Sequence, residues 1–170
     1  QQPWHFVIMK SPEARQALAV GAGRALATIE QVYRLTRPSP GDDSPRARNA
    51  RPMFALHDGA ANVPAAVLFC VRDQPATPTF TLGASIFPAM QNFLLAARAL
   101  GLGTCVTGWH VGSEPEFRDA LGVPDEWRMA GLAIVGWPEG NHGPLRRRPV
   151  HEVASIDRWD HPVQIASDAG

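Results

Sequence analysis

The sequence predicts an α+β domain, a layered α/β sandwich with a mixed sheet between helices. Three observations point there. Short apolar runs of strand length alternate with longer segments that carry helix start signals. The connections between those runs are too long for two-residue hairpins, so crossover helices are expected to join the strands. The 170-residue chain is 45% hydrophobic and 19% charged, a composition that builds a core and does not stay disordered. At this length one domain over residues 1–170 is the expectation, with 160–170 as a tail.

The elements follow in order. His5–Met9 is a short apolar run and reads as a buried strand. Ser11-Pro12-Glu13 opens a helix: a capping hydroxyl, a proline suited to the first turn, and an acid at the positive end of the dipole. That helix is expected to run to about Arg37 and stop before Pro38. Arg37–Pro52 holds four prolines and the basic residues Arg46, Arg48 and Arg51. It reads as a long loop, either an active-site lid or a solvated, disordered connection.

Val63–Arg72 is apolar and reads as a strand interior to the sheet. Asp73–Thr81 is a loop. Ala84–Leu100 is apolar nearly all round, so it is expected to be buried on more than one side, against its own sheet and against a second copy of the chain. Gly101 and Gly103 end it, and Thr104–Thr107 is a short strand. Ser113 and Glu116 have capping-box spacing, which predicts a helix ending near Gly122. Met129–Trp137 is the last strand, followed by a Gly/Asn/His loop and the run Arg146-Arg147-Arg148-Pro149.

Composition excludes several functions. Sixteen Lys+Arg balance sixteen Asp+Glu for a formal charge of +0, which argues against general nucleic-acid binding. No apolar run approaches the ~20 residues of a membrane span. The opening Gln1-Gln2-Pro3-Trp4 is not a signal peptide, so a cytoplasmic protein is expected. Two cysteines make no disulfide framework, and with the six histidines they show no metal-ligand spacing. Cys70 and Cys105 are expected inside strands as small hydrophobes. There is no GxGxxG, Walker loop, GxSxG or HExxH pattern. The arginine run near the C-terminus could hold a single phosphate or be a solvated basic turn.

Four stretches, in chain order, carry a family pattern: Gln2-Pro3-Trp4-His5-Phe6; Gln91-Asn92-Phe93-Leu94-Leu95 through Gly103-Thr104; Leu121-Gly122-Val123-Pro124 with the strand Leu132–Trp137; and Arg146-Arg147-Arg148-Pro149-Val150-His151. In these the chain resembles the FMN-dependent nitroreductases. The resemblance implies a mixed sheet flanked by helices, a homodimer with flavin sites at the subunit interface, and electron transfer from NAD(P)H through FMN to a nitroaromatic, quinone or similar small-molecule acceptor. The flavin would carry the redox chemistry, so no catalytic residue is assigned and no metal, nucleic acid or membrane is needed.

Position by position, the resemblance puts Gln2 near the flavin ring and the backbone at Thr107, Gly108 and Trp109 opposite its N5 and O4. It puts Arg146 or Arg147 at the phosphate. It also implies an upstream helix with an Arg-Arg-Ser-x-Arg type phosphate grip and a Pro-Ser-x-x-Asn stretch, which are not in these 170 residues. Losing two charge-assisted hydrogen bonds would weaken FMN binding by about two to four decades, so an upstream segment is expected. The bulk of Trp109, where the family often has small residues, suggests a narrower site. With the missing grip, it motivates the alternative of a non-catalytic flavin-binding relative.

Overall fold

A computed structural model describes residues 2–140 and 147–164. They form two compact units, divided between Pro138 and Glu139. The first holds four strands and four α-helices: β1 (Trp4–Met9), α1 (Pro12–Tyr33), α2 (Pro45–Asp58), β2 (Ala65–Arg72), α3 (Thr79–Ala99), β3 (Gly103–Thr107), α4 (Glu114–Leu121) and β4 (Trp127–Gly136).

The strands lie in the order β1-β2-β4-β3. Every pairing is antiparallel, which corrects the expected mixed sheet. Helix α3 does join two strands that run the same way, β2 and β3. It leaves a gap one strand wide, and β4 returns through that gap antiparallel to both. A crossover helix therefore does not by itself make parallel neighbours.

Strand β2 is the interior strand expected from its composition: Ala66 to Val71 are all buried. Its alternating side chains serve two cores. Ala66, Leu68 and Cys70 join Met9, Leu132 and residues of α1 and α4 on one face. Val67, Phe69 and Val71 join Leu82 and Ile86 of α3 on the other. The register slips between Phe69, opposite Gly131, and Cys70, opposite Met129, leaving Ala130 as a bulge in β4.

The outer strands depart from expectation. β1 is an edge, and of its residues only Met9 is buried; Phe6 and Ile8 are exposed. β3 is the other edge, and Cys105 on it is exposed. An apolar run therefore did not mark a buried strand, because an edge strand keeps half its surface uncovered. Cys70 is buried as expected, and burial pushes its thiol up to about 11, so it stays protonated and unreactive at neutral pH.

Helix α1 starts as predicted, with the Ala14 N–H donating to Ser11 Oγ at 3.2 Å and Pro12 in the first turn. Ala14, Ala17, Leu18, Gly21 and Ala22 are its buried stripe. It ends at Tyr33, four residues early, because Arg34 turns left-handed (φ 48°). The segment expected to be a loop, Arg37–Pro52, contains most of α2. Ser44 caps that helix through the Ala47 N–H at 3.2 Å, Pro45 opens it, and Ala47, Ala50 and Phe54 are its buried side. Pro52 is tolerated within it on the exposed side. Arg37 binds Asp58 at 2.6 and 2.9 Å and lies 4.7 Å over the Phe54 ring, folding the remaining loop back onto α2.

Helix α3 begins at Thr79, five residues before the expected start. At that length it is apolar and long enough, by composition alone, to cross a membrane. It packs on the sheet through Leu82 and Ile86, with Met90, Phe93 and Leu94 against the same core. Much of the rest, including Phe80 (93% exposed), Phe87 and Leu95, is uncovered in a single chain. Burial of this helix on a second side is therefore not achieved within one copy. Helix α4 ends as predicted on a left-handed Gly122. In the second unit Ser155 bridges Pro162, and the Val163 N–H donates to Ala154 O at 3.1 Å.

Candidate functional site

Strand β3 delivers the chain to one end of the sheet and stops at Thr107, opposite Leu132. The backbone then turns twice, with the Val111 N–H on Gly108 O (2.9 Å) and the Ser113 N–H on His110 O (3.2 Å). The N–H groups of Gly108 and Trp109 find no acceptor among the described residues. Thr107 Oγ1 is buried and likewise has no partner among them. A Cβ built on Gly108 meets nothing within 4 Å, so the space beside Gly108 is open. Two donors without a protein partner beside a buried hydroxyl that also lacks one make a cluster of free hydrogen-bonding groups. A ligand with several acceptor atoms would satisfy it.

Trp109 is the opposite of an obstruction. Its indole is 2% exposed and lies in the core on the α1 side of the sheet. This corrects the expectation of a site narrowed by its bulk, because the ring points into the core. The indole Nε1 donates to His57 Nε2 at 3.1 Å, and His57 Nδ1 lies 2.8 Å from Met53 O. Beneath the loop, Gly21 of α1 sits so close to the Trp109 carbonyl that no Cβ fits there.

Arg24 of α1 ties the far end of the loop. It donates to Gly112 O at 3.1 Å and to the Glu116 carboxylate, and the guanidinium holds that carboxyl below its usual range. Glu116 is thereby taken away from the expected capping box. Ser113 does sit at the N-cap of α4, but with φ −131° and ψ 22° its hydroxyl caps nothing and is left buried. A capping residue needs extended ψ to aim its oxygen at the following N–H groups.

His110, within this loop, is buried. Burial lowers its pKa, against smaller opposing effects of Glu114 and the Met129 backbone. Its neutral form is therefore favoured in the fold. The sign follows: stability is complete above the ordinary value of 6.5. It falls as the pH drops below 6.5, because the unfolded chain takes up the proton first. Urea unfolding midpoints measured from pH 7.5 to 5 should fall more steeply for the wild type than for His110→Gln. Parallel profiles would remove His110 as the cause.

The predicted residues are only partly brought together. Thr107, Gly108 and Trp109 share the loop just described. Gln2 is exposed at the start of β1, where the Arg72 N–H donates to Pro3 O at 2.8 Å. β1 and β3 are the two opposite edges of the sheet, roughly 14 Å apart at the usual strand spacing. Arg147 is exposed in the second unit, and Arg146 lies outside the described residues. A separate cavity of about 490 Å³ lies between α3, α4 and the start of β4. It is floored by Leu82 and Ile86, with an Asp73–Arg128 pair (2.8 Å) at its edge. None of the predicted residues lines it.

The model of the nitroreductase family matches residues 1–137, which is the whole sheet and all four helices. The chain belongs to the nitroreductase family. This is a family of oxidoreductases, and the α+β fold agrees with it. Solved nitroreductase-like structures superpose over nearly the whole chain. The nitroreductase-like family protein of Bacillus cereus is 21% identical, with 91% of this chain and 73% of that one covered at a TM-score of 0.58. The FMN and NADPH-dependent nitroreductase NfnB of sphigopyxis sp. strain HMH is 14% identical (92% and 81% covered, TM-score 0.59). A BluB-like flavoprotein of Clostridium difficile 630 is 18% identical (92% and 80%, TM-score 0.58). At such identities the likeness is one of fold. No curated protein matches the chain significantly.

Within this nitroreductase fold, sequence reasoning missed His57, Gly21 and Arg24, which hold the loop. Gly21 carried a signal, a glycine on the buried stripe of a helix. His57 carried none while its segment was read as lying beyond a loop.

Proposed function

We propose that this chain is an FMN-dependent oxidoreductase that accepts reducing equivalents from NAD(P)H and passes them, in ping-pong order, to a nitroaromatic, quinone or related acceptor. The observation that carries the reading is the set of hydrogen-bonding groups at the end of β3 that find no partner among the described residues: the Gly108 and Trp109 N–H groups and the buried Thr107 hydroxyl. They fit a planar group with acceptor atoms along one edge. Family membership supports the class of chemistry, and NfnB, of similar fold, is an FMN and NADPH-dependent enzyme.

Bound FMN would supply the hydride chemistry. The chain's own part is binding and electrostatics. The N–H groups of Gly108 and Trp109 donate toward the ring edge where negative charge grows on reduction, and such preset donors need no reorganisation. Thr107 Oγ1 has both a proton to give and lone pairs to accept. Gln2 offers an amide to the ring, and Arg146 or Arg147 a charged fork to the phosphate. The buried indole of Trp109 removes the steric reason for a non-catalytic relative.

A homodimer belongs to this reading. Gln2 and the Thr107–Trp109 loop sit on opposite sheet edges, so one flavin touching both requires a second copy. The uncovered Phe80, Phe87 and Leu95 of α3 and Phe6 and Ile8 of β1 offer apolar surface for it. Light scattering at micromolar concentration should give twice the chain mass.

The test is titration of the purified protein with FMN, followed by NADH or NADPH without oxygen. Bound flavin whose absorption bleaches with either donor is expected; no binding, or no bleaching with both, overturns the reading. Arg147→Ala should weaken FMN about tenfold or more, the value of one charge-assisted hydrogen bond, with an unchanged melting temperature. Unaltered affinity would identify the arginine run as a solvated turn.

A further inference from the structure

We infer that His57 is a positioning residue for the flavin-facing loop, acting through the indole of Trp109. The inference rests on the flavin reading above and adds a residue, from a different helix, that never touches the flavin.

The chemistry of the relay is one-directional. Met53 O can only accept, so the proton of a neutral His57 sits on Nδ1 and Nε2 is left with a lone pair. Trp109 Nε1–H can only donate, and it meets that lone pair at 3.1 Å. The rings meet edge to face, 5.4 Å apart at 61°. Met53 and His57 are one turn apart on α2, so the helix holds the imidazole at Nδ1 and leaves Nε2 for the indole. On the other side, the bare Cα of Gly21 lets α1 press against the Trp109 carbonyl. The peptide of Trp109 is thus fixed through its carbonyl by α1 and through its side chain by α2. The N–H groups of Gly108 and Trp109 keep no partner among the described residues. A packing residue would fill volume there; His57 instead sets the rotation of the ring whose backbone presents the donors.

The experiment compares wild type with His57→Phe, His57→Gln, Trp109→Phe and the His57→Phe/Trp109→Phe pair. Two quantities are read: amide hydrogen exchange at Val111 and Ser113 in protein without added flavin, and the reduction potential of FMN bound to each variant. Those amides close the two turns of the loop. His57→Phe should speed their exchange about tenfold, the loss of one hydrogen bond. It should also make the potential more negative, because the donors that favour reduced flavin are no longer aimed. His57→Gln, which can accept from the indole and donate to Met53 O, should restore both. In the Trp109→Phe background His57→Phe should change neither further. If His57→Phe leaves the potential unchanged, or if Gln fails to restore it, the positioning role is overturned even when exchange has changed. If His57→Phe alters neither quantity while wild type binds and reduces FMN, only this inference fails. If the wild type binds no FMN, the flavin reading and the inference fall together, and the exchange data then describe a structural contact.

Discussion

Gly21→Ala should destabilise the protein by about 2 kcal/mol or more, although alanine is the better helix former by about 1 kcal/mol. The sign is decided by what the new methyl meets. A Cβ at Gly21 falls on the Trp109 backbone carbonyl, with the carbonyl carbon at 3.0 Å and Phe117 Cε2 at 2.9 Å. The carbonyl is main chain and Phe117 is fully buried, so neither can swing away. Gly131 makes an instructive contrast. Its Cβ would approach Met90 Sδ at 2.9 Å, the end of a flexible side chain that can move aside, so Gly131→Ala should be mild. Gly23 is the matched control on the same helix. Nothing lies within 4 Å of a Cβ there, and Gly23→Ala should stabilise by about 0.5–1 kcal/mol. Thermal melts of both variants check the pair. The Gly21 variant should lose about 5 °C or more and also bind FMN more weakly, since the carbonyl it displaces belongs to the loop that offers the N–H donors. Equal, favourable shifts for both glycines would show that α1 does not press on that loop.

Phe69→Ala should be more damaging to the fold, at about 3–5 kcal/mol. Phe69 is 1% exposed at the centre of the sheet face that carries α3. Its ring lies edge to face between Phe6 of β1 and Phe93 of α3, each at 5.5 Å. Truncation leaves a cavity bounded by a helix on one side and a strand on the other, and it removes two aromatic contacts beyond the area buried. A loss of that size is a large part of the ~5–15 kcal/mol that holds a domain of this kind folded. It should lower the melting temperature by about 10 °C or more. A melting temperature within a few degrees of wild type would mean that the α3 face repacks freely around the gap.

The local signals were readable where a few neighbouring residues settle the outcome. Ser11-Pro12 starts α1 because a cap and a first-turn proline act within one turn. Gly122 ends α4 because only a residue comfortable at positive φ can. Val63–Arg72 announces an interior strand because every residue of it before Arg72 is apolar. The same local reading failed at α2, where prolines and arginines hid an Ala47, Ala50, Phe54 stripe of helical spacing. It failed at Ser113, where the expected capping partner Glu116 is drawn off by Arg24, 92 residues away along the chain.

By itself the sequence determined the class of the fold, the family, the interior strand, the start of α1, the end of α3 and both ends of α4, since these depend on composition, periodicity and short-range geometry. Only the tertiary structure decided that the sheet is antiparallel throughout, that β1 and β3 are its edges, and that the indole of Trp109 turns inward to meet His57. It also put Gln2 and Thr107 on opposite edges of one sheet. Those outcomes depend on which elements become neighbours, and that is set by the simultaneous burial of faces far apart in the chain, a quantity no local window contains.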